Sequence, residues 1–160
     1  FNAKLPLIYS PNLDPKSFVK WRLNQILEKI SILVCRESEL VQFEKLLGLG
    51  RQEIIEKFNR LKYIFTIHDR SKIVIHSKDI MTKISEAPAE NVVSDKGWFD
   101  AFRAGLVYAV SLKKPIIEAA KIASALASYS IEKASSQIYN PSPEQVSLRA
   151  FEVKVISKNL

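Results

Sequence analysis

Short apolar runs alternate along this chain with stretches whose apolar residues recur every three or four positions. Leu5–Tyr9, Ile32–Cys35 and Tyr63–Ile67 are near-continuous in aliphatic, aromatic or β-branched residues, the pattern of strands buried on both faces. Between the first two, Val19, Leu23, Ile26, Leu27 and Ile30 fall on one stripe, and Asp14-Pro15 supplies a cap and a first-turn proline for a helix. Leu40, Phe43 and Leu47 mark a second helix, closed by the turn Gly48-Leu49-Gly50, and Ile54, Ile55, Phe58 and Leu61 mark a third. Strands separated by helices imply a layered α/β domain with a mainly parallel sheet flanked by helices.

Further along, Ile73–His76 and Met81–Ile84 read as shorter strands about the polar turn Ser77-Lys78-Asp79. Residues 85–96 are polar and irregular. Gly97 opens a helix of small residues to about Val110, Lys113-Lys114-Pro115 interrupts it, and Ile116–Ser130 forms another, rich in alanine and serine. Pro141 and Pro143 introduce a short helix near Gln145, and Phe151–Ile156 alternates like a final strand.

The chain has 160 residues, 47% hydrophobic and 26% charged, which suits one globular domain over residues 1–160 and excludes a disordered chain. A single cysteine, Cys35, excludes an internal disulfide and fits a reducing, cytoplasmic location. No apolar run approaches the roughly 20 residues needed to span a bilayer, so no membrane association is expected. The first residue is Phe1, which suits a processed product or a fragment. A formal net charge of +7 brings nucleic acid in as a partner to weigh, but the excess is spread without a block of like charge and no base-reading motif accompanies it. Nucleic acid therefore ranks last among partners.

His68 and His76 have no cysteine or carboxylate cluster at metal-ligand spacing, and no G-x-x-x-x-G-K-[ST] loop is present. The segment most suited to chemistry is Val92 to Gly105, where a loop meets a helix start carrying Asp100 in its first turn. Free amides and the helix dipole attract anions at such a place, and a carboxylate there also suits a plain capping role.

Asp100-Ala101-Phe102-Arg103-Ala104-Gly105 resembles the signature of the ribokinase-like (PfkB) carbohydrate kinases, in which a D-T-x-G-A-G-D loop runs into A-F-x-A-G. The resemblance implies that Asp100 is the base for the substrate hydroxyl and that the amides of Gly97, Trp98 and Phe99 form the anion hole. Glu118 to Ala125 is similar to the helix that packs near the adenine in that family. Ser10-Pro11-Asn12 resembles its D-P-N, Ile32 to Leu40 its strand with N-x-x-E, and Phe65 to Ser71 its T-x-G-x-x-G segment. Carried over, these matches imply ATP and Mg²⁺ as cofactors, Thr66, His68 and Ser124 on the nucleotide, and Glu39 on the metal through water.

The departures touch the same chemistry. Trp98 and Phe99 replace a small residue and a glycine, where bulk is expected to obstruct a phosphate. Ser94 stands for the loop's first Asp, Arg36 for the asparagine, His68 and Ser71 for two glycines, and Ser10 for the Asp of D-P-N. The resemblance covers only the family's C-terminal half, without the lid and the sugar-contacting residues. Two functions are therefore expected. One is a catalytically degenerate binding or assembly module, with a protein partner or a second copy completing the half-fold. The other is an active ATP-dependent sugar or nucleoside kinase represented by this half.

Overall fold

The structure, a computed structural model, describes residues 6–11, 18–70, 72–134 and 139–159. They form two compact units, one of Phe1–Lys83 with Ile156–Leu160 and one of Ile84–Val155.

The first unit carries the sheet. In chain order the strands are β1 (Ile8–Tyr9), β2 (Ile32–Arg36), β3 (Tyr63–Asp69), β4 (Lys72–His76), β5 (Ile80–Ile84) and β6 (Val155–Asn159), and they lie side by side in that same order. Helix α1 (Lys20–Leu27) connects β1 to β2, and α2 (Glu37–Leu47) with α3 (Arg51–Lys57) connects β2 to β3. These two crossovers make β1, β2 and β3 parallel, with Ile8 opposite Ile32 and Val34 opposite Phe65. The sheet is mixed, because β4 runs antiparallel to β3 and pairs Phe65 with Ile75. Ser77-Lys78-Asp79 forms the expected turn, with the Ser77 amide and hydroxyl both donating to the Ile80 carbonyl at 3.0 and 2.8 Å. Three residues are too few for a parallel crossover, so β4 and β5 are antiparallel as well.

Ile32, Leu33, Val34 and Cys35 are all buried, which is why this run does not alternate in sequence. Leu33 and Cys35 share one core with Leu23, Leu27, Leu40, Phe43, Ile54 and Ile64, where Phe18 meets Phe43 edge-on at 5.1 Å. Gly48 ends α2 in the left-handed region at φ 71°, the conformation that glycine adopts at least cost. Asp14-Pro15 lies outside the described residues.

The second unit holds α4 (Trp98–Ser111), α5 (Ile116–Ile131) and α6 (Pro143–Phe151). Helices α4 and α5 form a tight antiparallel hairpin. A Cβ built on Gly105 would lie 2.8 Å from the Ala123 Cα, so the two backbones approach as closely as they do only because position 105 has no side chain. Ala119, Ala120, Ala123 and Ala127 are fully buried along α5. The hydroxyls of Ser128 and Ser130, also fully buried, donate to carbonyls three residues back. Alanine and serine are abundant here because the close packing leaves no room for larger groups.

The expected strand over Phe151–Ile156 is corrected. Helix α6 runs through Phe151, and the last strand begins at Val155. The Ser142 hydroxyl accepts from the Gln145 amide, while the Gln145 side chain accepts from the Ser142 amide, a reciprocal cap that starts the helix firmly at Pro143. Val146, Arg149 and Ala150 are its buried residues, at helical spacing, so the local alternation of Phe151, Val153 and Val155 is overridden. All five residues of β6 are exposed, as befits a strand on the edge of the sheet.

Candidate active site

The expected site residues fall on both units: Glu39, Thr66 and His68 on the first, Gly97 to Asp100 and Ser124 on the second. On the second unit, the loop before α4 is held by the Ile131 carbonyl at the end of α5, which accepts from the Val93 and Ser94 amides at 2.8 and 3.1 Å. Gly97 then takes φ 86° and ψ −6° as the N-cap of α4, and no side chain caps the helix. The Trp98 amide donates to the Asp95 carbonyl at 3.5 Å, and the positive end of the dipole at this helix start favours a negative charge.

The bulk of Trp98 points into the protein. Its indole turns inward, is only 4% exposed, and stacks on Phe102 one turn along α4 with ring centroids 5.5 Å apart. The physical reason is that positions i and i+4 share a helix face, and burying two rings together stabilises more than exposing either. The buried indole Nε1 has no hydrogen-bond partner. Phe99 is half-buried, with the Arg103 guanidinium 4.7 Å above its ring.

Asp100 sits in the first turn with its side chain 74% exposed, and pairs with Arg103 one turn on. Tyr139 also senses it: burial pushes that phenol's pKa up, and the Asp100 charge adds to the rise. Ser124 is fully buried. Its hydroxyl accepts from the Ala87 amide at 2.8 Å and donates to the Ser85 carbonyl at 3.4 Å, fastening the loop to α5.

On the first unit, the Glu39 carboxylate reaches back to accept from the Arg36 amide at 2.7 Å, capping α2. It lies close enough to Tyr9 to add to the rise in that phenol's pKa, which burial causes first. Thr66 is fully buried at the middle of β3, its hydroxyl 3.1 Å from His76 Nε2 on β4. His68, near the end of β3, places Nε2 3.5 Å from Glu37. Ser71 lies outside the described residues.

Sequence reading missed the charged cluster that surrounds these positions. Arg51 donates to both Glu37 oxygens at 2.7 and 3.2 Å and, through Nε, to Glu44 at 3.0 Å, while its amide also donates to Glu44. Burial works to raise the Glu37 pKa, but the Arg51 hydrogen bond and charge outweigh it and hold the carboxyl below its usual range. One signal was available: an arginine opening a helix opposes the dipole, so it needs carboxylate partners. Among the described residues no group of three or more His, Cys, Asp or Glu could hold a metal ion. Mg²⁺ in general keeps several waters and leans on substrate phosphates more than on a cage of protein ligands.

Burial pushes the His76 pKa down to about 4, and the Arg51 charge adds to the fall while Glu37 opposes it. The unfolded histidine titrates near 6.5. Stability is therefore full above about pH 6.5 and falls as pH drops toward 4, because only the unfolded chain takes up the proton, at up to about 1.4 kcal/mol per pH unit. Urea unfolding midpoints at pH 7 and pH 5 should separate for the native chain and nearly coincide for His76→Gln. Equal pH dependence in both would place the proton uptake elsewhere.

The sequence model described as pfkB family carbohydrate kinase matches residues 2–143. This chain belongs to the pfkB family. Among solved structures, the Methanocaldococcus jannaschii nucleoside kinase, an archaeal member of the ribokinase family, superposes with a TM-score of 0.82 at 23% identity, over 91% of this chain and 48% of its own. The Burkholderia thailandensis nucleoside kinase in complex with inosine gives 0.79 at 23%, over 91% and 47%. Ribokinase from Thermotoga maritima gives 0.71 at 19%, over 93% and 49%. At these identities the likeness establishes the fold, and this pfkB chain spans about half the length of each. No curated protein matches it. Among the described residues no helix is long and apolar enough to cross a membrane. In this pfkB chain Gly105 of the A-F-x-A-G motif serves the contact between α4 and α5, and Asp100, just before the motif, presents an exposed carboxylate.

Proposed function

We propose that this chain is the nucleotide-side half of a pfkB-type kinase that transfers the γ-phosphoryl group of ATP to an alcohol of a sugar or nucleoside. The observation that carries this reading is the start of α4: a left-handed Gly97, no side-chain cap, an indole folded away, and an exposed carboxylate in the first turn. The substrate hydroxyl oxygen attacks the γ-phosphorus, its proton passes to the Asp100 carboxylate, and the bond from the γ-phosphorus to the β,γ-bridging oxygen breaks to release ADP. The first-turn amides of α4 stabilise the charge on the transferred group. Mg²⁺, when bound with the nucleotide, neutralises phosphate charge, and Glu39 would orient its waters. The rest of a family-length site, with the sugar or nucleoside contacts, comes from outside these 160 residues. The cytoplasm suits both the substrates and a single reduced thiol.

A second reading is a binding or assembly module that has lost phosphotransfer. It is favoured by the Thr66 and Ser124 hydroxyls, both fully buried and engaged within the protein, and by the pairing of Asp100 with Arg103. Turnover separates the two. Expressed from the longest reading frame that contains this chain, with ATP, Mg²⁺ and a panel of pentoses, hexoses and nucleosides, the protein should release ADP only when the right acceptor is present. Nucleotide binding without ADP release on any acceptor would assign the second reading.

A further inference from the structure

Helices α4, α5 and α6 of the second unit enclose a groove of about 630 Å³ that takes no part in the chemistry above. Its walls are Tyr108 and Leu112 of α4, Ile122 and Leu126 of α5, and Val146 and Phe151 of α6. Phe151 is 80% exposed, and about half of Tyr108 and Leu112 is open to solvent. Exposed rings and aliphatic chains gathered on a concave face are a feature that isolated surface hydrophobics do not produce.

The charges around the groove are unequal. Lys114 is matched by Glu118 at 2.7 Å, one helical turn away. Lys121 has no carboxylate partner among the described residues, and its ammonium lies 5.9 Å from the centroid of the Phe151 ring. The groove thus combines an apolar lining with one uncompensated positive charge. Its volume lies within the range of small-molecule sites, which run to roughly 300–1,000 Å³ and place a few polar groups on mostly apolar walls.

We propose that this groove binds a singly anionic amphiphile, an alkyl carboxylate of medium or long chain, with the chain along α5 and the carboxylate at Lys121. A neutral ligand would leave the lysine unused. A nucleotide carries several negative charges, where the groove offers one unmatched cation beside Glu118. The proposal is independent of phosphotransfer, because no wall residue belongs to the start of α4.

Calorimetric titration with decanoate below its micelle concentration, alongside decyltrimethylammonium, reads both the apolar and the charge requirement. Decanoate should saturate one site, with amide shifts in NMR spectra confined to α4, α5 and α6, and decyltrimethylammonium should bind at least tenfold more weakly. Lys121→Glu, a surface change that leaves folding intact, should weaken decanoate at least tenfold and reverse the preference between the two head groups. Ser147→Trp, which sets a ring into the groove from α6, should abolish binding of both. Equal affinity for the two head groups, indifference to Lys121→Glu, or no saturable binding would overturn the proposal.

Discussion

Replacing Asp100 by asparagine should lower the rate of phosphoryl transfer by about 10²- to 10⁴-fold while leaving the affinity for ATP within about threefold. That range is what one positioned proton acceptor contributes to a reaction of this kind. Asparagine keeps the size and the hydrogen-bonding oxygen of the side chain but cannot take the alcohol's proton at neutral pH. The carboxylate is well exposed and its partner Arg103 lies on the same helix face, so the lost ion pair is a solvated one worth only a few tenths of a kcal/mol. A fall in kcat with an unchanged unfolding midpoint therefore reads chemistry and not stability. An unchanged rate would remove Asp100 from the reaction. A parallel loss of rate and ATP affinity would make it a nucleotide contact.

Gly105→Ala should destabilise the chain by about 1–3 kcal/mol, the usual cost of forcing one extra carbon into a packed interface. Helix propensity alone predicts the opposite sign, since alanine is favoured over glycine inside a helix by about 1 kcal/mol. The new Cβ would stand 2.8 Å from the Ala123 Cα and 3.3 Å from the Leu126 Cβ. A side chain could rotate away, but a backbone atom cannot, so α4 and α5 must separate along their shared seam and lose packing for several residues. Ala104→Gly, one position earlier on the exposed face, is the control that reads propensity alone. Urea unfolding followed by helical circular dichroism should give a lower midpoint for both, with the larger fall at 105. A midpoint for Gly105→Ala at or above that of the native chain would mean that the glycine is there for some other reason.

The order of elements was legible because periodicity reports burial directly: runs such as Ile32–Cys35 do not alternate, and they are buried throughout. Gly97 and Gly48 were legible as punctuation, and both take positive φ. What a short window could not carry was competition between neighbouring patterns. Phe151, Val153 and Val155 alternate as well as any strand, yet the reciprocal cap at Ser142 and Gln145 commits the preceding residues to helix. The direction of Trp98 was hidden for a related reason. A tryptophan in place of a small residue reads as bulk at the phosphate, but a helix also offers that ring the face of Phe102, and burial decides its direction. The contacts of Arg51 with Glu37 and Glu44 join residues seven and fourteen apart on different helices, beyond the reach of any local spacing rule.

The most direct measurement is a crystal structure of the protein grown with a non-hydrolysable ATP analogue and Mg²⁺. The γ-phosphate should lie against the first-turn amides of α4, within hydrogen-bonding distance of the backbone between Gly97 and Asp100, with the Trp98 indole still stacked on Phe102. Nucleotide bound away from that turn, or an indole swung out into the phosphate's place, would contradict the assignment.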